Sequence, residues 1–112
     1  MRAPRLNRAL VLERVLRAPD GAGGFAESWE ALGTVWADVE YRGARSDAQA
    51  GLPLSAATYR VTVRAHPVGD TRRPVPGQRF RDGARLFAII GVGERDAQAR
   101  YLVCVVEEVQ PR

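Results

Sequence analysis

The chain has 112 residues, of which 46% are hydrophobic and 27% charged, and its formal net charge is +4. This length fits a single domain, residues 1–112, with a modest core, and the composition excludes a disordered chain. No apolar run approaches the roughly 20 residues of a membrane helix, and no signal-peptide core follows the basic N-terminus. We therefore expect neither contact with a membrane nor secretion.

The N-terminal third of the sequence predicts two strands around a glycine-rich turn. Alternating side chains predict the first strand over Ala9–Val15, and the glycines of residues 21–24 predict the turn. Phe25–Leu32 fits either a strand or a helix, and we expect Gly33 to end it. Thr34–Tyr41 alternates more clearly, with Trp36, Asp38 and Glu40 on one face, and predicts the second strand.

The middle of the sequence combines the longest irregular stretch with the clearest strand. Arg42–Ala57 predicts a long loop, in which Ala44–Ala50 could form one short helix with little apolar surface to anchor it. Thr58–His66 alternates apolar and polar residues along its whole length, which is typical of a half-buried strand. Three prolines then predict a loop or an edge strand over Pro67–Gly77.

The C-terminal third predicts a hairpin and a last strand. Gln78–Arg81 and Arg85–Val92 flank Asp82 and Gly83, a dipeptide that favours tight hairpins, and Arg100–Val109 follows. The whole pattern predicts a mostly β fold, a small barrel or sandwich of about six or seven strands with a long loop. The residues expected in the core are Tyr59, Val61, Val63, Leu86, Ile89, Leu102 and Cys104.

The sequence shows no pattern of catalytic, cofactor-binding or metal-ligating residues. His66 is the only histidine and lies on the polar face of its strand, so a metal site lacks ligands. Cys104 lies within an apolar run, which predicts a buried structural thiol. The glycine-rich turn lacks the Lys and Ser/Thr of a phosphate-binding loop. We therefore expect no enzyme, no cofactor and no metal.

Arginines give the one remaining surface signal, because every basic residue is arginine. One interpretation is a solvated sheet face that nearby acidic residues such as Asp70 and Asp82 neutralise. The other is a basic surface that faces DNA or an acidic partner ring. The residues of this candidate basic surface are Arg60, Arg64, Arg72 and Arg73.

The order of elements also resembles a known family, that of phage head–tail joining proteins, the small stoppers and adaptors between portal and tail. The moderately specific features are Trp29, the step Thr34–Ala37 and the strand around Arg64. The segments that carry the resemblance are Leu6–Val15, Asp20–Glu40, Arg42–Ala50, Thr58–His66 and Arg79–Val109.

The resemblance implies a homo-oligomeric ring, a hexamer or alternatively a dodecamer, in the virion neck. A portal or adaptor ring would lie on its head side, a tail terminator on its tail side, and DNA would pass through its channel. The β-rich sequence favours a stopper, which closes or connects the channel, over an adaptor. Assembly would occur in the cytoplasm of a bacterial host, and the arginine-only composition fits a gene transfer agent or prophage.

In this family the loop that matches Arg42–Ala57 reaches the lumen or a neighbouring ring, so we expect it to be mobile in the free subunit and ordered in the neck. The residues of this candidate lumen or partner loop are Arg42, Gly43, Arg45, Asp47, Gln49, Leu52 and Leu54. Two alternatives stay open: a tail terminator or other neck ring protein, and a small basic β-barrel that binds nucleic acid.

Overall fold

The structure is a computed structural model, which describes residues 3–47 and 54–109. Six strands pair antiparallel in the order β1-β2-β3-β6-β5-β4 and close into a barrel. In the described residues there is no helix, so none is long and apolar enough to cross a membrane. The strands are β1 (Arg8–Pro19), β2 (Phe25–Asp47), β3 (Leu54–Arg64), β4 (Arg79–Asp82), β5 (Arg85–Glu94) and β6 (Tyr101–Glu108).

Strand β2 organises the fold because it runs through two bulges without ending. Its 23 residues would span about 75 Å if straight, whereas the longest dimension of the molecule is 48 Å. The register shifts opposite Leu12 and Glu13, and again between Tyr41 and Gly43. Gly33 and Gly43 have φ angles of +145° and +129° at these bulges, a conformation that favours glycine. The expectation that Gly33 ends the element is therefore wrong, since this glycine bends the strand.

The predicted long loop is largely a β-ribbon. Gly43–Asp47 of β2 pairs with Leu54–Thr58 of β3, so the irregular stretch predicted over Arg42–Ala57 is wrong for these residues. The short helix over Ala44–Ala50 is wrong for residues 44–47, and residues 48–50 lie outside the described part of the chain. The sequence of these segments has no alternation of apolar and polar residues, so the pairing could not be predicted from it. Backbone hydrogen bonds can hold such a ribbon without an apolar face.

The core lies inside the barrel, on the inward faces of all six strands. The predicted strand over Thr58–His66 is confirmed for Thr58–Arg64, where β3 ends, so Ala65 and His66 lie beyond it. The burial of five of the seven expected core residues is confirmed. Tyr59 is half-buried against the core, and Leu86 points away from it because Phe87 and Ile89 occupy the inward side of β5. The core residues are Leu10, Leu12, Ala37, Val61, Val63, Phe80, Phe87, Ile89, Leu102, Cys104 and Val106.

Two ribbons extend the barrel at opposite ends. We call the end at which β1 finishes the upper end and the end at which it starts the lower end. The β1–β2 arm, residues 14–19 paired with 25–30, extends the upper end. The β2–β3 arm, residues 43–47 paired with 54–58, extends the lower end. The connection between β3 and β4 crosses the upper end and buries Pro74 there.

Candidate interaction surfaces

The residues of the candidate lumen or partner loop lie on the β2–β3 arm or outside the described residues. Arg42 is the bulged residue at its base, where its guanidinium contacts Glu40 at 2.9 Å. Gly43 follows directly. Arg45, Asp47 and Leu54 occupy paired backbone positions within the arm, whereas Gln49 and Leu52 lie outside the described residues.

Two members of the candidate basic surface, Arg64 and Arg72, meet at a cleft of about 370 Å³ near the upper end. The cleft opens where β2 and β3 diverge, since their pairing stops at Ala37 and Val63. Its lining combines apolar side chains with the two arginines, and Trp36, which is part of the lining, is 56% exposed. The lining residues are Leu6, Thr34, Val35, Trp36, Val63, Arg64, His66 and Arg72.

The charge of Arg72 is already satisfied within the loop. Its guanidinium donates two hydrogen bonds to the Asp70 carboxylate, at 3.0 and 2.7 Å, and this contact holds the pKa of Asp70 below its usual range. Arg73 has a structural contact, because its Nη1 donates to the backbone oxygen of His66 at 2.9 Å. In this cleft Arg64 is thus the arginine without an ion pair among the described residues.

Arg60 lies in a different environment from Arg64, although both point outward from β3. It shares a second cleft, of about 250 Å³, with Asp38, Glu40 and Arg95. Two carboxylates in the same cleft make this a mixed surface. The candidate basic surface is therefore divided, with Arg64 in one cleft and Arg60 in another that it shares with two carboxylates.

His66 and Cys104 do not form a catalytic arrangement. Cys104 is fully buried in the core, which raises the pKa of its thiol to about 12 and keeps it protonated. His66 is half-buried at the edge of the Arg64 cleft. Within residues 3–47 and 54–109, no group of three or more potential metal ligands comes together.

The lower end of the barrel carries a polar and aromatic cluster that the sequence did not predict. Arg85 donates to both oxygens of Glu108, at 2.8 and 3.1 Å, and to the Tyr59 hydroxyl at 3.1 Å. Tyr59 packs edge-on against Tyr41 and Phe87, with ring centroids 5.5 and 5.4 Å apart. Glu108 has its pKa lowered chiefly by the hydrogen bond from Arg85. The cluster closes the barrel just above the base of the β2–β3 arm.

A second cluster lies on the outside of β1, where the upper arm leaves the barrel. Glu13 accepts hydrogen bonds from Arg79 at 2.7 Å and Arg81 at 2.9 Å, and the Arg79 guanidinium stacks 3.9 Å from the Trp29 ring centre. Burial alone would raise the pKa of Glu13, but the two arginines outweigh it and the pKa lies below its usual value.

The alternation of apolar and polar residues predicted which side chains of a strand point outward, but not which residues of other strands they contact. The pattern of Thr34–Tyr41 already placed Trp36 on the same face as Asp38 and Glu40, which signals an exposed aromatic. Nothing local in the sequence links Glu13 to Arg79, because 66 residues separate them. The expected local pairing of Asp70 is confirmed with Arg72, whereas Asp82 pairs with Arg8 at 2.6 Å.

Comparisons with known proteins cover almost the whole chain. Residues 1–109 match the model of a family described as phage head completion protein. Among solved structures, a chain of "Virion of native gene transfer agent (GTA) particle" is 48% identical and superposes with a TM-score of 0.83. That match covers 96% of this chain and 98% of the other. No curated protein sequence is significantly similar. The family match includes both arms as well as the barrel.

Proposed function

The chain belongs to the phage head completion protein family, and on this premise we propose that it forms a ring in the neck of a tailed phage or gene transfer agent. It is a structural virion component of the head–tail junction. The observation that carries the proposal is the 48% identity to a chain of a gene transfer agent virion over nearly the full length of both chains. In this proposal the ring connects portal or adaptor to tail and helps to close the DNA channel as a stopper.

The shape of the subunit supports a position between two other rings. The β1–β2 arm and the β2–β3 arm extend opposite ends of one closed barrel. A subunit of this shape can contact the head-side ring with one arm and the tail-side ring with the other. The barrel between them has a close-packed buried core and is therefore rigid. It would hold the two contacts at a fixed distance.

The β2–β3 arm is our candidate for the lumen or the junction with the next ring. It leaves the barrel below the Arg85–Glu108 cluster, and its backbone is paired throughout its described part. Deleting residues 45–56 would shorten both strands together and preserve the pair Tyr41–Tyr59. We expect a folded subunit that gives heads which leak DNA or fail to join tails. Normal particles with the shortened arm would show that it is only a spacer.

Arg60 and Arg64 are the candidate contacts with DNA or with an acidic partner ring. Neither makes an ion pair among the described residues, so their charge is available to a partner. The double variant R60E/R64E should keep the thermal stability of the isolated subunit and reduce tail joining or DNA retention. Unchanged particles would assign both residues to the solvated face of β3.

Removal of the gene in a producing cell tests the main proposal. We expect DNA-filled or leaking heads and free tails, with joining restored when the wild-type chain is supplied. Cryo-electron microscopy of restored particles should show the chain as a ring at the neck. Tailed particles of normal yield without the chain would overturn the proposal.

A further inference from the structure

The β1–β2 arm has two unpaired edges in the described part of the chain. Strand β4 pairs with β1 only at Val11–Glu13, and β3 pairs with β2 only from Ala37 onward. The outward backbone donors and acceptors of residues 14–19 and 25–36 therefore have no strand beside them. A two-stranded ribbon in water is marginally stable and its open edges are templates for further pairing.

The two edges carry opposite charges. Arg14 and Arg17 are the charged residues of β1 in the arm, and Glu27 and Glu30 are those of β2. Within one copy the arginines face the glutamates directly across the ribbon, at 2.9 Å for Arg14–Glu30 and 3.0 Å for Arg17–Glu27. All four side chains stay about half or more exposed, so they remain available to a second partner on the open side of each strand.

We propose that neighbouring copies in the ring pair edge to edge through these arms, with β2 of one copy beside β1 of the next. This inference rests on the proposed ring. When all arms point the same way, β2 of one copy runs antiparallel to β1 of its neighbour, because β1 and β2 are antiparallel within each copy. The open edges of the arm itself, residues 14–19 and 25–30, are equal in length. Repetition of the contact closes a continuous antiparallel barrel with two strands from every copy.

Charge selects this head-to-tail contact over a two-fold contact. A β2 edge beside a β2 edge would place glutamates against glutamates, and a β1 edge beside a β1 edge would place arginines against arginines, both unfavourable across strands. The head-to-tail contact alternates arginine and glutamate columns around the ring. It also brings a neighbour beside Leu16 and Phe25, which are 41% and 72% exposed in the single copy.

A charge-swapped variant tests the contact while it keeps the pairs within each arm. The variant R14E/R17E/E27R/E30R exchanges the acidic and basic strands, so each copy retains two cross-strand ion pairs and should assemble with itself. Beside a wild-type arm, however, it meets like charges. We would co-express the two full-length chains with different tags, together with portal and adaptor, and count mixed rings by native mass spectrometry.

We expect wild-type and swapped chains to sort into separate rings, with mixed contacts about tenfold rarer than random mixing gives, since like-charged pairs replace opposite ones. Two differently tagged wild-type chains should mix at random. As a matched control, the R8D/D82R exchange at the lower end should also mix with wild type. Random mixing of the arm swap would overturn the inference and leave the ring intact. Failure of wild type to form any ring would instead overturn the proposed function, and the inference with it.

Discussion

Glu13 and Arg14 are neighbours in sequence but belong to two regions that use ion pairs differently. Glu13 is 6% exposed and is held between two arginines of β4, on the wall of the barrel. Arg14 begins the β1–β2 arm and meets Glu30 in a pair that is about half exposed. The bulge between Leu12 and Glu13 lies at this boundary, where β4 stops pairing with β1.

The difference indicates how one small domain combines a fixed body with exchangeable contacts. If the buried Glu13 carboxylate moved away, Arg79 and Arg81 would lose their ion-pair partner. The Glu13 cluster therefore fixes the position of β4 on β1. An exposed pair contributes little to folding and can be shared with a neighbouring strand at little cost. The barrel therefore specifies the fold, and in our proposal the arm provides the contact between copies.

The largest effect should come from the body. Val63→Asp places an unpaired carboxylate at a core position that is 2% exposed, so we expect an unfolded or insoluble chain, a loss of about 4 kcal/mol or more. Circular dichroism and solubility after expression provide the measurement. Val68→Asp is the control, because Val68 is 85% exposed and the variant should fold normally. A folded Val63→Asp variant would contradict the assignment of this face to the core.

The difference between the barrel and the β1–β2 arm should be measurable as a difference in the free energy of unfolding when Glu13 and Glu30 are each neutralised. Glu13→Gln weakens two ion pairs at a buried position and should lower the free energy of unfolding by about 1–3 kcal/mol. Glu30→Gln weakens one exposed pair and should change it by less than about 0.5 kcal/mol. Urea unfolding of the isolated subunit measures both. Equal losses for the two variants would show that arm and body are not distinct.

Acid should weaken the body through the same carboxylate. The pKa of Glu13 lies below the usual value of 4.5 in the folded state, so its contribution to stability is complete above pH 4.5. That contribution is lost as the pH falls from 4.5 through the lower folded pKa. Unfolding of wild type below pH 4.5 should thus depend on pH more steeply than unfolding of Glu13→Gln. Parallel pH profiles for the two proteins would contradict the lowered pKa.

The body of the fold could be predicted from the sequence because each of its strands has one inward apolar face. Period-two alternation predicted a strand over Thr58–His66, which the structure confirms as far as Arg64. The dipeptide Asp82–Gly83 predicted the β4–β5 hairpin, which the structure also confirms. The role of Gly33 could not be predicted, since a glycine in a bulge and a glycine that ends a strand look alike in one sequence. The β2–β3 arm was missed because a ribbon outside the barrel needs no apolar face.

The surfaces were less predictable than the fold because they depend on pairing between distant strands. The sequence identified the four arginines of the candidate basic surface. It did not predict that Arg72 and Arg73 have hydrogen-bond partners in or next to their own loop. The two open edges of the β1–β2 arm follow from where β3 and β4 stop pairing, which depends on strand order. The alternation of residues along one strand does not indicate which strands lie beside it.

The smallest effect on folding should come from the arm itself, where it separates assembly from stability. Arg17 and Glu27 are 68% and 50% exposed at the side chain, so the double variant R17Q/E27Q removes an ion pair that water already screens. We expect the free energy of unfolding of the isolated subunit to change by less than about 0.5 kcal/mol in urea. The same variant should weaken contacts between copies, because each edge loses one of its two charges. A stability loss above about 1.5 kcal/mol would mean that this pair holds the fold as Glu13 does, and the arm would then belong to the body.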